Sequence, residues 1–320
     1  VKEKGKYKIV IADGYTLNPG DLDWKGIGQY GDVAYYDRTP AAEMIARCKD
    51  ADIIITNKAP IDAGLFEQAE RLKLVLVTAT GYNIVDVAAA KRRGVTVCNV
   101  PDYGTASVAQ HTFACILELA NLVGANSQAV ASGEWVASPD FAFSKGPLTE
   151  LQGKTLGIIG LGRIGSQVAR LAQAFDMRVL YHSRKPKPGA NAEYVPLTEL
   201  VTESDIVSLH CPLTKENTRF INRSLLQQMK RSAWLINTSR GALIEEHDLA
   251  EALKNGTIAH AALDVLSVEP PTNDNPLLTA PNCLITPHNA WLSLEARTRI
   301  LRVTESNLSH FVRNAPINTV

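Results

Sequence analysis

Three short segments of this 320-residue chain carry the residue types that chemistry at a carbonyl demands. They are Asn237-Thr238-Ser239-Arg240-Gly241, Asp264-Val265-Leu266-Ser267-Val268-Glu269-Pro270 and Thr286-Pro287-His288-Asn289-Ala290-Trp291. Hydride transfer to a carbonyl needs, besides a cofactor, a cation to hold and polarise the substrate. It also needs an acid to protonate the oxygen and a partner to keep that acid loaded near neutral pH. Arg240, His288 and Glu269 are side chains of those three kinds. Each segment follows an expected strand, at the end of a parallel sheet where ligands bind. Taken singly, each has a plainer reading: a surface arginine, a solvated glutamate, a structural histidine. Spacing alone does not bring them together.

A cofactor site is written more clearly. Residues 155–165 read Thr-Leu-Gly-Ile-Ile-Gly-Leu-Gly-Arg-Ile-Gly, an apolar strand running into Gly160-x-Gly162-x-x-Gly165. In such a fingerprint the first glycine allows the tight turn and the second lets a pyrophosphate approach the backbone. The third lets helix and strand pack closely. Arg163 and Ile164 open the helix, and Ile164, Val168, Leu171, Ala172 and Phe175 recur at helical spacing. Free N–H groups at that helix start suit phosphate oxygens. A lone glycine turn is the bland alternative, and the strand before and helix after argue against it.

The second strand of this unit ends Tyr181-His182-Ser183-Arg184-Lys185. An NAD enzyme usually places Asp or Glu there for the ribose 2′-OH. Ser183, Arg184 and Lys185 instead suit a 2′-phosphate, so NADP(H) is the expected cofactor, with NAD(H) retained as possible. A solvated charged turn is the alternative. His210-Cys211-Pro212-Leu213 ends another expected strand. Cys211 and Pro212 should line the cofactor, Cys211 as a small wall residue.

The elements that would position these residues alternate regularly. Strands are expected at 8–12, 33–36, 52–56, 73–78 and 95–98, with helices at 41–49, 61–69 and 84–93. A long helix over 105–131 and an irregular stretch over 132–150 follow. Six more strands are expected, at 155–159, 177–181, 205–209, 233–237, 258–263 and 283–286, and a last helix at 293–313. This is an α/β chain of two Rossmann-like domains. A doubly wound parallel-sheet dinucleotide domain (105–291) would be inserted in a flavodoxin-like substrate domain (1–104 and 292–320), with the ligand in the cleft between them. The apolar residues of 105–131 are too many for a one-sided surface helix, which points to a homodimer interface.

Formal net charge is zero, which removes any electrostatic reason to expect nucleic acid or an acidic membrane as partner. Five scattered cysteines, without metal-ligand spacing, suit a reducing cytoplasm and imply no metal site. The N-terminal residues have no apolar signal core.

The three catalytic-type segments, the glycine fingerprint and the stretch Asn99-Val100-Pro101-Asp102-Tyr103-Gly104-Thr105-Ala106-Ser107-Val108-Ala109-Gln110-His111-Thr112 closely resemble the D-isomer-specific 2-hydroxyacid dehydrogenases. The resemblance covers almost the whole chain. It implies that Arg240 binds the carboxylate and keto oxygen of a 2-oxo acid. His288 would exchange the proton, and Glu269 would favour the charged ring. Asp264 would meet the nicotinamide carboxamide, Thr238 would join the cofactor site, and Thr80-Gly81 would form a carboxylate-binding turn. Lys58, after the strand at 52–56, is a further candidate substrate contact, with a solvated lysine as the alternative.

Thr286–Trp291, with Glu295-Ala296-Arg297 and the loop Ala79-Thr80-Gly81-Tyr82-Asn83, is similar to the glycerate dehydrogenase (hydroxypyruvate reductase) branch. Hydroxypyruvate or glyoxylate is then the expected substrate. Trp291 would either narrow the pocket or pack at a domain interface, and Phe141 and Phe143 would reach a neighbouring subunit. Two other readings remain: a non-catalytic dinucleotide-sensing module of the corepressor type, whose relatives carry extra tails not expected here, and a dehydrogenase for another 2-oxo acid.

Overall fold

The computed structural model describes residues 7–320; residues 1–6, which bear on the expected lack of a signal segment, lie outside the described residues. The chain divides into two compact units, Val1–Tyr103 with Leu292–Val320, and Gly104–Trp291.

The smaller unit begins β1 (Tyr7–Ile11), α1 (Lys25–Gly28), β2 (Gly31–Tyr35), α2 (Met44–Cys48) and β3 (Ile53–Thr56). It continues α3 (Ala63–Gln68), β4 (Leu74–Val77), α4 (Val87–Arg92) and β5 (Thr96–Cys98). The strand order is β2-β1-β3-β4-β5 and every pairing is parallel, the flavodoxin-like order. Both faces of this sheet are covered. Ile53 and Ile55 pack with Ile9, Ile11, Leu74 and Leu76, while Ile54 joins Val10, Val75 and Val77 in a separate cluster. Burial on both sides is why β3 and β4 read as unbroken apolar runs instead of alternating ones. Asp62 and Asp86 start α3 and α4 by accepting from the amides of Leu65 and Ala89.

The larger unit contains α5 (Thr105–Asn121), α6 (Val123–Ala131), β6 (Thr155–Ile159), α7 (Arg163–Ala174), β7 (Arg178–His182) and β8 (Glu193–Tyr194). After these come α8 (Leu197–Glu203), β9 (Ile206–Leu209), α9 (Arg223–Leu226), β10 (Trp234–Asn237), α10 (Glu246–Lys254), β11 (His260–Leu263) and β12 (Cys283–Ile285). Its parallel sheet runs β12-β11-β10-β9-β6-β7-β8, a doubly wound order that reverses between β6 and β9. The last helix, α11 (Leu294–Val312), belongs to the smaller unit and adds Leu301 and Leu308 to one face of its sheet.

Three expectations need correction. The helix expected over 105–131 is two helices, bent by 58° at Leu122, whose φ of 50° and ψ of 39° cannot continue a right-handed turn. The Glu118 carboxylate accepts from Gly124 N at the start of the new helix. The larger sheet has seven strands, not six; β8, two residues long, shows no periodicity in sequence. The apolar surface of α5 is also not left over for a partner. Ala109, Phe113, Cys115, Ile116, Leu119 and Ala120 pack against Leu156, Ile158, Val168 and Ala172 of the same unit. Among the described residues no single helix is long and apolar enough to cross a membrane.

Candidate active site

Arg240, Glu269 and His288 sit in the loops after β10, β11 and β12, three neighbouring strands of the larger unit. The structure brings two of them into contact: His288 Nδ1 lies 2.6 Å from Glu269 Oε2. Glu269 is an acceptor there, so Nδ1–H donates and Nε2 is left as the atom able to exchange a proton with a ligand. The carboxylate is oriented from its other oxygen, which accepts from Leu266 N at 3.0 Å. Glu246, at the start of α10, clamps the same loop through Ser267 N, Ser267 Oγ and Asn275 Nδ2. Arg240 is exposed and its Nη1 donates to the Ser239 carbonyl. Its neighbour Gly241 packs so tightly that a Cβ there would stand 1.9 Å from the Leu266 carbonyl carbon. The backbones of the arginine and glutamate loops are therefore in direct contact.

His288 has φ of 51°, a left-handed conformation that costs a residue with a Cβ about 1–2 kcal/mol. Asp264 offsets that cost. Its carbonyl accepts from His288 N at 2.8 Å. Its carboxylate accepts from Asn289 N, Ala290 N and Thr286 Oγ1 at 2.9, 3.0 and 2.6 Å. The side chain is 1 % exposed. Asp264 thus anchors from within the loop that carries His288.

The glycine fingerprint lies where the strand order reverses. Gly160 has φ of 98°, and a Cβ on it would stand 2.6 Å from Cys211 N. Gly165 faces the Gly160 carbonyl, where a Cβ would come to 2.4 Å. At Gly162 a Cβ would meet nothing within 4 Å, and no side chain caps α7. A twelve-residue helix thus starts without a side-chain cap, beside open space at Gly162, which fits a pyrophosphate. Arg163 is exposed at that first turn, while Ile164 packs on the domain core.

Beyond β7, Ser183 Oγ donates within its turn to the Lys185 carbonyl, and the side chains of Arg184 and Lys185 are exposed. Lys187, which no sequence signal singles out, bonds through Nζ to the carbonyl of Leu161 inside the fingerprint. Only the fold brings that turn back. Cys211 O accepts from Ser239 Oγ, Pro212 O accepts from Asn217 Nδ2, and Thr238 is buried. Burial raises the Cys211 thiol above its usual range, which suits a wall residue better than a nucleophile. Burial also pushes the His210 ring down to about 4, and its Nε2 meets Ser208 Oγ at 2.8 Å.

Lys58, Thr80 and Gly81 belong to the smaller unit, after β3 and β4. Lys58 is exposed. Its loop is fixed by Asp13, which stands in no recognisable motif and whose carboxylate accepts from the amides of Asn57, Lys58 and Ala59 at 2.7, 2.5 and 2.9 Å. Thr80 Oγ1 donates to Val100 O, and Asn99 Nδ2 donates to Thr80 O, which hold the Thr80-Gly81 turn. Trp291 is buried, whereas Phe141 is 93 % exposed.

This geometry can be set beside known proteins. Residues 113–290 match the family described as D-isomer specific 2-hydroxyacid dehydrogenase, NAD binding domain. The chain belongs to that family. A hydroxypyruvate reductase of Blautia hydrogenotrophica is 47% identical over 98% of this chain and 99% of its own length. A glycerate dehydrogenase of Methylorubrum extorquens is 37% identical over 98% of each. Among solved structures, an NADPH-dependent glyoxylate/hydroxypyruvate reductase from Sinorhizobium meliloti, in complex with NADP and malonate, superposes with a TM-score of 0.84. It is 30% identical, covering 98% of this chain and 97% of that one. The larger unit is accordingly a nicotinamide-dinucleotide-binding domain of an oxidoreductase.

Proposed function

We propose that this chain reduces a small 2-oxo acid, hydroxypyruvate or glyoxylate, to the D-2-hydroxy acid, with NADP(H) preferred over NAD(H). The observation that carries the reading is the 2.6 Å contact between His288 Nδ1 and Glu269 Oε2. The substrate choice is supported by the relatives named hydroxypyruvate reductase and glycerate dehydrogenase.

The nicotinamide, when bound, supplies the hydride. The chain's own residues do the rest. Arg240 holds the substrate carboxylate and keto oxygen. His288 Nε2 delivers a proton to the oxygen as it becomes an alkoxide, and Glu269 offsets the charge that the ring carries beforehand. Thr80 and Gly81 offer the substrate carboxylate a backbone turn, Lys58 adds a cation, and Trp291 limits substrate length. The larger unit (105–291) acts as the dinucleotide domain and the smaller one (1–104 and 292–320) as the substrate domain. Ser183, Arg184 and Lys185 would read a 2′-phosphate.

Exposed apolar residues Val123, Trp135, Val136, Phe141 and Leu148 cluster in one segment, which supports a homodimer built on α6 and the arm after it. All five cysteines are free, as suits a reducing cytoplasm.

The test is absorbance decay of NADPH and of NADH with hydroxypyruvate, glyoxylate, pyruvate and a longer 2-oxo acid. Rapid NADPH oxidation with the first two is expected. Faster NADH oxidation would reject the cofactor preference alone, and absence of turnover with every acid would reject the substrate class. Ser183→Asp with Arg184→Ala should swing the ratio toward NADH by about tenfold, the value of one lost charge-assisted contact.

A further inference from the structure

We infer that His111 is a positioning residue for the proton donor, acting through the face of α5 that meets the catalytic loops; this rests on the reading of His288 as that donor. Ser107 and His111 are four residues apart and so share one side of α5. Ser107 Oγ donates to the Ala290 carbonyl at 2.5 Å. His111 Nε2 lies 3.0 Å from Thr286 Oγ1 and 3.4 Å from Asp264 Oδ1. Next along the helix, Thr112 Oγ1 lies 3.0 Å from Thr238 Oγ1. One helix therefore reaches the loops that follow β10, β11 and β12.

Counting protons fixes the role of the imidazole. Thr286 has a single hydroxyl proton, and it points at Asp264 Oδ1 at 2.6 Å. The Thr286 oxygen can then only accept from His111, so Nε2 carries the proton. That N–H is given to the Thr286 hydroxyl, which in turn donates to the buried Asp264 carboxylate, the acceptor of the successive Asn289 and Ala290 amides. The backbone of His288 hangs from the same aspartate and holds a left-handed conformation. Without the Nε2–H, the Thr286 hydroxyl that donates to Asp264 loses its own donor and is free to turn, at the root of this loop. The 2.6 Å contact between His288 and Glu269 is what such a shift would disturb. Displacements of about 1 Å in acid–base geometry typically cost about a hundredfold in rate, so the effect should appear in turnover and not in binding.

The experiment compares His111→Leu, His111→Gln and His288→Gln. The readouts are kcat, KM, dinucleotide Kd by fluorescence, melting temperature and the solvent isotope effect on kcat. His111→Leu should lower kcat about 10- to 100-fold while KM and Kd stay within about threefold, with a larger solvent isotope effect. His111→Gln, whose side-chain N–H reaches a similar point, should recover most of the loss. Should His111→Leu fail to fold, Thr286→Val removes the relaying hydroxyl at constant shape and should show the same fall in kcat. Full turnover in His111→Leu, beside an inactive His288→Gln, overturns the role of His111 and leaves the proton donor in place. Equal losses in the Leu and Gln variants, tracking melting temperature, would make His111 a packing residue and also overturn it. Full turnover in His288→Gln would sink the donor reading, and this inference with it.

Discussion

Each unit reverses its strand order once, and the two reversal points are built in opposite ways. Between β1 and β3 the smaller unit fills the gap with its own carboxylate: Asp13 takes the amides of Asn57, Lys58 and Ala59. Between β6 and β9 the larger unit has glycines and no capping side chain at the helix start. Gly160 presses on the Cys211 backbone, Gly162 faces open space and α7 starts without a side-chain cap. Backbone amides at such a point attract an anion in either case. One sheet satisfies its amides internally and becomes a rigid mount for Lys58. The other sets glycines and an uncapped helix start at that place, in the unit that matches a dinucleotide-binding family. The same architecture thus yields a scaffold or a cofactor site according to one side chain.

Substitutions can break this contrast. The largest effect should come from His288→Gln, which tests whether the chemistry resides with the open site. It should cost about 10²- to 10⁴-fold in kcat, with dinucleotide Kd little changed; near-full turnover would displace the acid from His288. Gly162→Val comes next. A Cβ there meets no protein atom within 4 Å, so melting temperature should hold while dinucleotide Kd rises about 100-fold. Unchanged affinity would show that the phosphates bind elsewhere. Asp13→Ala strips the filled site. Three amides lose a charged acceptor, which costs about 2–3 kcal/mol, and KM for the 2-oxo acid should rise while dinucleotide Kd holds. A parallel loss of dinucleotide affinity would contradict the division of labour.

The smallest effect concerns His210, beside the open site. Its folded value near 4 lies below the unfolded value of about 6.5, so the folded chain holds the ring neutral while the unfolded chain takes up a proton. That contribution is whole above about pH 6.5 and is lost as pH falls from there toward 4. Melting at pH 7.5 and pH 5 should show a loss roughly 2–4 °C greater in the parent than in His210→Asn. Equal losses would mean that the ring is not held neutral.

The fingerprint was legible because its glycines serve local needs, a turn and close approaches within one strand–turn–helix. Both sheets were legible because doubly covered strands read as apolar runs. What stayed hidden depended on distance along the chain. Asp13 acts on residues 44 to 46 positions away, and His111 on one 175 positions away. Neither contact leaves a periodic trace. The break at Leu122 is silent in sequence because apolar spacing continues across it, while the capping contact from Glu118 to Gly124 exists only after the bend. The position of Asp264 in its motif is visible in sequence, whereas its burial and its hold on the His288 loop are not.

The fit of Gly241 against Leu266 bears on how this site can be rebuilt. With 1.9 Å between a virtual Cβ and the Leu266 carbonyl carbon, no other residue enters position 241 unless the 266–269 backbone retreats. The arginine segment and the glutamate segment are consequently fitted to each other and should be exchanged together. A chimera that takes residues 238–243 from one parent and 264–270 from another will work only where both parents share that contact, so recombination breakpoints between the two should be rare among functional hybrids.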